Sequence, residues 1–242
     1  PAPDWDEVAR VIVERLQLIT GERVVLVVEP GTADGLVESM LRAVRRGGGE
    51  LVGLIPARGP TPQKWRSDFS RQTEQRPMQQ LTALLKNVDV GIMLPGAAAG
   101  DAPYKAFQYH LERPVGRGVR TVHFHWSGAY SLAGDPIPVT TAIAELYQHT
   151  LVDTDYDELA RRQLEFEAAM RAGPVRVTTP AGTDLTFRIG DRVVTRQDGD
   201  ASQARARLGR TLIDREVELP AGAIRVAPIE ESVDGKIAFP DG

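Results

Sequence analysis

The sequence predicts an α/β fold, a parallel sheet flanked by helices, followed by a smaller β-rich segment of a second domain. Three observations carry this. Short β-branched runs alternate with helix-period segments over the first half. The run Arg23 to Val28 is apolar on both sides of the strand period, as in sheets covered on both faces. Past Gly173-Pro174 the apolar spacing changes from helical to alternating.

The elements follow in order. Trp5, Val8, Val11, Ile12, Leu16 and Ile19 fall on one helical face, and Thr20-Gly21 stops that helix before the strand Arg23 to Val28. Leu36, Val37, Met40, Leu41 and Val44 repeat the helical spacing, and Gly47-Gly48-Gly49 releases the chain into a strand from Leu51 to Ile55. After a loop from Pro56 to Pro62, Pro77 opens a helix carrying Met78, Leu81, Leu84 and Leu85, which feeds a strand from Val88 to Leu94. Pro103 to Leu111 reads as a short helix and Val119 to Phe124 as a fourth strand, which completes the first sheet.

Pro138 begins a helix with Val139, Ala142, Ile143, Leu146 and Tyr147 on its apolar side. A longer helix follows, capped by Thr154 or Asp155 and carrying Tyr156, Leu159, Phe166 and Met170. Val175, Val177, Leu185, Phe187, Ile189 and Val193 then form a meander with turns at Ala181-Gly182 and Gly190-Asp191. Residues 196 to 218 read as a polar loop with some helix, and strand character resumes at Ile224 to Val226 and Lys236 to Phe239. The expected division is 1–150 for the α/β domain, 151–173 for a linking helix and 174–242 for the β-rich part.

Composition narrows the function. With 42% hydrophobic and 26% charged residues and a net charge of −4, the chain is neither disordered nor fibrous. No apolar run approaches the ~20 residues that span a bilayer, and no secretion signal opens the sequence, so a cytoplasmic location is expected. The acidic balance argues against nucleic acid as a partner. The absence of cysteine excludes disulfides, thiolate nucleophiles and zinc-thiolate sites.

No P-loop, GxGxxG, GxSxG or HExxH pattern occurs. The most chemical-looking spot is Thr121 to Trp126, where strand alternation puts His123 and His125 on one face near the carboxyl end of a parallel strand. The two imidazoles are the candidate substrate-binding residues. One histidine packed under a helix and the other capping a loop explains the pair more cheaply, since no carboxylate partner is assignable from sequence. His110 and His149 read as surface residues on helices. Glu29 to Gly35 could receive an anion on its backbone N–H groups, although helix capping by Thr32 or Asp34 explains the same residues more cheaply. Gly96 to Gly100 reads as a flexible connection, and Asp184 as a turn-stabilising residue.

Two later stretches carry a resemblance. Val177-Thr178-Thr179-Pro180-Ala181-Gly182-Thr183-Asp184-Leu185 resembles the T-x-x-G-T-D-L hairpin of the thermophilic metallo-aminopeptidases, the aminopeptidase S and T group. Leu219 to Ile224, continuing through Ala227-Pro228 and Ser232 to Lys236, resembles the P-x-G-E-V segment of the same group, in the same order and separation. The resemblance implies a homodimeric metalloenzyme with a divalent zinc, cobalt or iron ion, acting on a short peptide or small molecule. The metal-binding Glu of P-x-G-E corresponds here to Ala223, whose methyl group offers no lone pair. The remaining ligands of the group are expected beyond Gly242, so no metal ligand is assigned within this chain. A superfamily relative, the iron-dependent dihydroxypyridine dioxygenase, also lacks that Glu, which keeps a ring-cleaving oxygenase open beside the peptidase. A non-catalytic binding or assembly domain is the third reading.

Overall fold

The computed structural model describes residues 3–112, 119–124, 140–209 and 211–239. Two compact units emerge: Pro1–Thr154 with Gly199–Ala221, and Asp155–Asp198 with Gly222–Gly242.

The first unit is built on a five-stranded, wholly parallel sheet in the order β2-β1-β3-β4-β8. Its strands are β1 (Arg23–Val28), β2 (Glu50–Pro56), β3 (Val90–Met93), β4 (Arg120–Phe124) and β8 (Glu216–Leu219). The first four match the sequence reading, with β3 shortened because Val88 closes a 3-10 turn over Leu85–Asn87. Helices α1 (Trp5–Leu16) and α2 (Asp34–Arg46) pack on each other. Asp4 caps α1 through the Glu7 N–H, and the left-handed Gln17 ends it, so Ile19 leaves the helical face and is exposed.

The other helices of this unit are α3 (Asp68–Thr73), α4 (Met78–Leu84), α5 (Ala102–Leu111), α6 (Thr141–Val152) and α8 (Gln203–Leu208). One core cluster joins Val25 and Val27 of β1, Ile55 of β2 and Met93 of β3 to Leu81, Leu85, Tyr104 and Phe107. Gly91 of β3 makes this packing possible: a Cβ there would lie 2.8 Å from the Phe107 ring, so α5 settles directly on the strand. The short α3, held by the reciprocal Ser67–Ser70 capping box, lies in the stretch between the expected loop and the expected Pro77 helix. The helix expected to open at Pro138 starts at Thr141, capped by the Thr140 hydroxyl; Pro138 and Val139 lie outside the described residues.

The main departure from the sequence reading is β8. Residues 196–218, expected as a loop with some helix beyond the first domain, contain α8 and the fifth strand of the first sheet. The boundary expected at 150 falls at Thr154, and Gly199–Ala221 returns to the first unit. Val217 and Leu219 are buried while Glu216 and Glu218 are half-buried on the opposite face, a two-residue period too short to stand out in the sequence. Arg120 anchors the returning segment. It is 1% exposed, pairs bidentately with Glu22 at 2.7 and 2.9 Å, and also donates to the carbonyls of Leu16 and Ala201.

The second unit holds α7 (Tyr156–Ala172) and a three-stranded antiparallel sheet in the order β10-β6-β5. Its strands are β5 (Val175–Thr178), β6 (Asp184–Phe187) and β10 (Asp234–Lys236). The Asp155 carboxylate caps α7 through the Glu158 N–H. A two-stranded ladder pairs β7 (Thr195–Arg196) with β9 (Ile224–Arg225). Ile189 and Val193 do not extend the meander: Ile189 is buried at a turn and Val193 is exposed. The strand expected from Lys236 to Phe239 runs instead from Asp234 to Lys236.

Candidate functional site

His123 lies fourth in the five-residue β4, half-buried, on the face that α5 covers. Its Nδ1 is 3.0 Å from the Tyr104 hydroxyl, and the two rings meet edge to face with centroids 5.1 Å apart. The same hydroxyl donates to Glu216 of β8, whose second carboxylate oxygen accepts from Gln108 Nε2 at 3.3 Å. Glu218 stands beside His123 in the β4–β8 register. The carboxylate that sequence could not assign to His123 is therefore supplied through Tyr104, by a strand joined to β4 from about a hundred residues downstream. His125 lies outside the described residues.

Elementary hydrogen-bond chemistry fixes the direction of the chain. An ionised carboxylate only accepts, so the Tyr104 proton points to Glu216. The phenol oxygen then accepts from His123, which places an imidazole proton on Nδ1. Tyr104 is 4% exposed, and burial, reinforced by its hydrogen bond to Glu216 and by the charges of Glu216 and Glu218, pushes its ionisation far above the ordinary phenol range. Tyr104 thus stands as a donor to the Glu216 carboxylate and an orienting contact for the His123 imidazole. Its position in the first turn of α5 follows from Pro103 beside it and the Gly91–Phe107 contact, which seat that helix on the sheet.

The other sequence candidates have structural roles. The loop after β1 does not cap α2 as expected: its N-cap residue is Ala33, without a side-chain bond, and Asp34 accepts from the Gly31 N–H at 2.8 Å and from Lys64 at 3.0 Å. A carboxylate in that first turn opposes the binding of an anion there. The stretch from Gly96 to Gly100 is a built turn and not merely a flexible connection. The Asp101 carboxylate accepts from the Ala98 N–H, and the Gly96 carbonyl accepts from Arg58. Gly96 has φ +95°, and a Cβ there would lie 2.4 Å from that of Glu29. Asp184 spans strands instead of stabilising the turn, meeting Arg176 through two 2.8 Å bonds, and this hydrogen bonding holds its carboxyl below the usual range. His110 is half-buried and bonded to the Thr82 carbonyl at 2.9 Å, while His149 is an exposed partner of Asp153.

In the second unit the β5–β6 turn is closed by Gly182 N–H to Thr179 carbonyl, and the Thr183 hydroxyl accepts from the Ala238 N–H at 3.0 Å. Ala223 is exposed, and its carbonyl accepts from the Gln197 N–H at 2.8 Å and from Gln163 at 3.3 Å. Among the described residues no three His, Asp or Glu side chains come together as a metal centre. The described residues thus do not by themselves make a site for the divalent ion that the resemblance implies.

No protein-family model matches the sequence, and no curated protein matches it. Among solved structures, AmpT from Thermus thermophilus shares the fold with a TM-score of 0.55 at 17% identity. The match covers 96% of this chain and 63% of AmpT, so the chain spans less than two thirds of that protein's length. The likeness defines an α/β architecture of the AmpT type. No helix among the described residues is long and apolar enough to cross a membrane.

Proposed function

We propose that this chain is part of a metal-dependent enzyme resembling the aminopeptidase S and T group, with Ala223 in place of the usual P-x-G-E ligand. The observation that carries the reading is the shared fold with AmpT over 96% of this chain, in a sequence that also bears two motif segments of that group in order. A zinc, cobalt or iron ion, a short-peptide or small-molecule substrate, a homodimeric state and a cytoplasmic location belong to the same proposal, with no nucleic-acid or membrane partner. Within it, His123 is held by Tyr104 and Glu216 as a substrate-binding residue.

Ala223 favours a second reading, a single-iron ring-cleaving dioxygenase, because such a relative dispenses with that Glu. A non-catalytic binding or assembly domain would also tolerate its loss. Elemental analysis of protein made from the complete natural reading frame separates the three. Stoichiometric transition metal with release of amino acids from short peptides supports the peptidase. Bound iron with oxygen uptake on an aromatic diol supports the dioxygenase, and a protein binding no transition metal overturns both.

A further inference from the structure

The carboxyl end of β2, the turn between α3 and α4 and the entry to α5 surround a cleft of about 300 Å³ that the metal-enzyme reading does not use. It lies between the loop that leaves β2 and the helix that follows β3, the two strands that flank β1 in the sheet. Among the described residues its ionisable lining side chains are two arginines, Arg58 from the loop after β2 and Arg76 from the turn between α3 and α4, with no Asp or Glu beside them in the lining. Thr73, Gln75, Leu81 and Pro103 contribute to the rest of the wall.

The two cations are held differently. Arg58 is fixed from behind, with Nη1 3.2 Å from the Asp101 carboxylate and Nη2 2.8 Å from the Gly96 carbonyl and 3.3 Å from Glu29. Arg76 bonds only neutral acceptors, the Gln72 carbonyl at 3.1 Å and Gln80 Oε1 at 3.4 Å. One guanidinium is thus oriented and charge-compensated, while the other brings a charge to the cleft that none of its bonded partners cancels. Planar guanidinium donors match the paired oxygens of carboxylates and phosphates.

We propose that the Arg58–Arg76 cleft is a binding site for the anionic group, phosphate or carboxylate, of a small ligand. It is independent of any metal. Calorimetric or NMR titration of the protein with sodium phosphate, and separately with sodium acetate at matched ionic strength, tests it. Saturable binding is expected, weakened on the order of tenfold in Arg76→Gln, the factor one charge-assisted hydrogen bond supplies. Arg46→Gln, on the α1–α2 side, should bind as the parent does. Tighter binding of phosphate identifies a phosphorylated ligand, and equal or tighter binding of acetate a carboxylate. Arg76 is exposed, so its replacement should leave the fold intact, and an unchanged circular-dichroism spectrum is the check. Non-saturating titrations with both anions, or saturable binding unchanged in Arg76→Gln, overturn the proposal.

Discussion

Arg120 and Glu22 form a bidentate ion pair in which both residues are buried, 1% and 6% exposed, and Gln203 completes it by donating to the same carboxylate at 3.1 Å. The pair joins the start of β4 to the turn before β1 and to the segment that returns to the first unit. Such a pair contributes little net stability against apolar replacements, but losing one member strands a charge. Glu22→Gln should therefore cost about 3–5 kcal/mol in urea unfolding, while the double change Glu22→Leu with Arg120→Met recovers only part of it, because the Leu16 and Ala201 carbonyls then lose their donor. A double variant as unstable as the single one would show that the pair supplies more than mutual neutralisation.

The same pair has a pH signature. Burial pushes the Glu22 carboxyl up, but hydrogen bonds from Arg120, the Ile19 N–H and Gln203 outweigh it and hold the group below its ordinary value of 4.5. The folded protein thus releases this proton more readily than the unfolded chain. Its contribution is complete above about pH 4.5 and is lost as pH falls through the lower folded value. Unfolding free energies at pH 7 and below pH 4.5 should show an acid-side loss that is smaller in Glu22→Gln; equal losses would assign the acid sensitivity to other carboxylates.

Tyr104 is predicted to act as a coupled member of its network. Tyr104→Phe leaves Glu216 and His123 each short of one bond and should cost about 1–3 kcal/mol. A double-mutant cycle with Glu216→Gln should give a coupling of about 0.5–3 kcal/mol. Strict additivity would show the two side chains to be independent. Because Tyr104 stays protonated, the phenolate absorbance that develops near pH 10 should be the same in the parent and in Tyr104→Phe.

The first three strands were legible because each is a largely apolar run preceded by a helix of clear period, and β4, with three polar residues in five, by its place after the short helix that begins at Pro103. β8 was not legible. It is four residues long, half of it glutamate, and its buried Val217 and Leu219 have meaning only beside β4. The site shared this fate: sequence alternation pointed to His123, but Tyr104 and Glu216 lie 19 and 93 residues from it and are brought to it by the packing of α5 and by the β4–β8 register. The Glu-Val-Glu-Leu alternation was the one local signal for the missing carboxylate. Arg76 had none, since an exposed arginine acquires a role only from the cleft around it.

Gly91 is predicted to be intolerant of even a methyl group. Gly91→Ala would press that carbon against the buried Phe107 ring, at a cost of about 1–3 kcal/mol. Combined with Phe107→Leu, which opens space at the same point, the total loss should be smaller than the sum of the two single losses. An additive pair would mean that α5 shifts as a body.

Ala223 offers the sharpest functional test, because its side chain and its backbone have separate roles. The carbonyl accepts from Gln197 N–H and Gln163, bonds that any L-residue preserves, and the methyl group is exposed. Ala223→Glu should therefore leave stability within about 0.5 kcal/mol of the parent, as surface substitutions do. In protein made from the complete reading frame, the restored carboxylate would raise bound transition metal from one ion to two if the remaining ligands are those of a two-metal peptidase. Unchanged metal content with an intact fold would mean that the second ion's site has been lost beyond this one position, which favours the single-metal reading; no metal in either protein would leave the non-catalytic one.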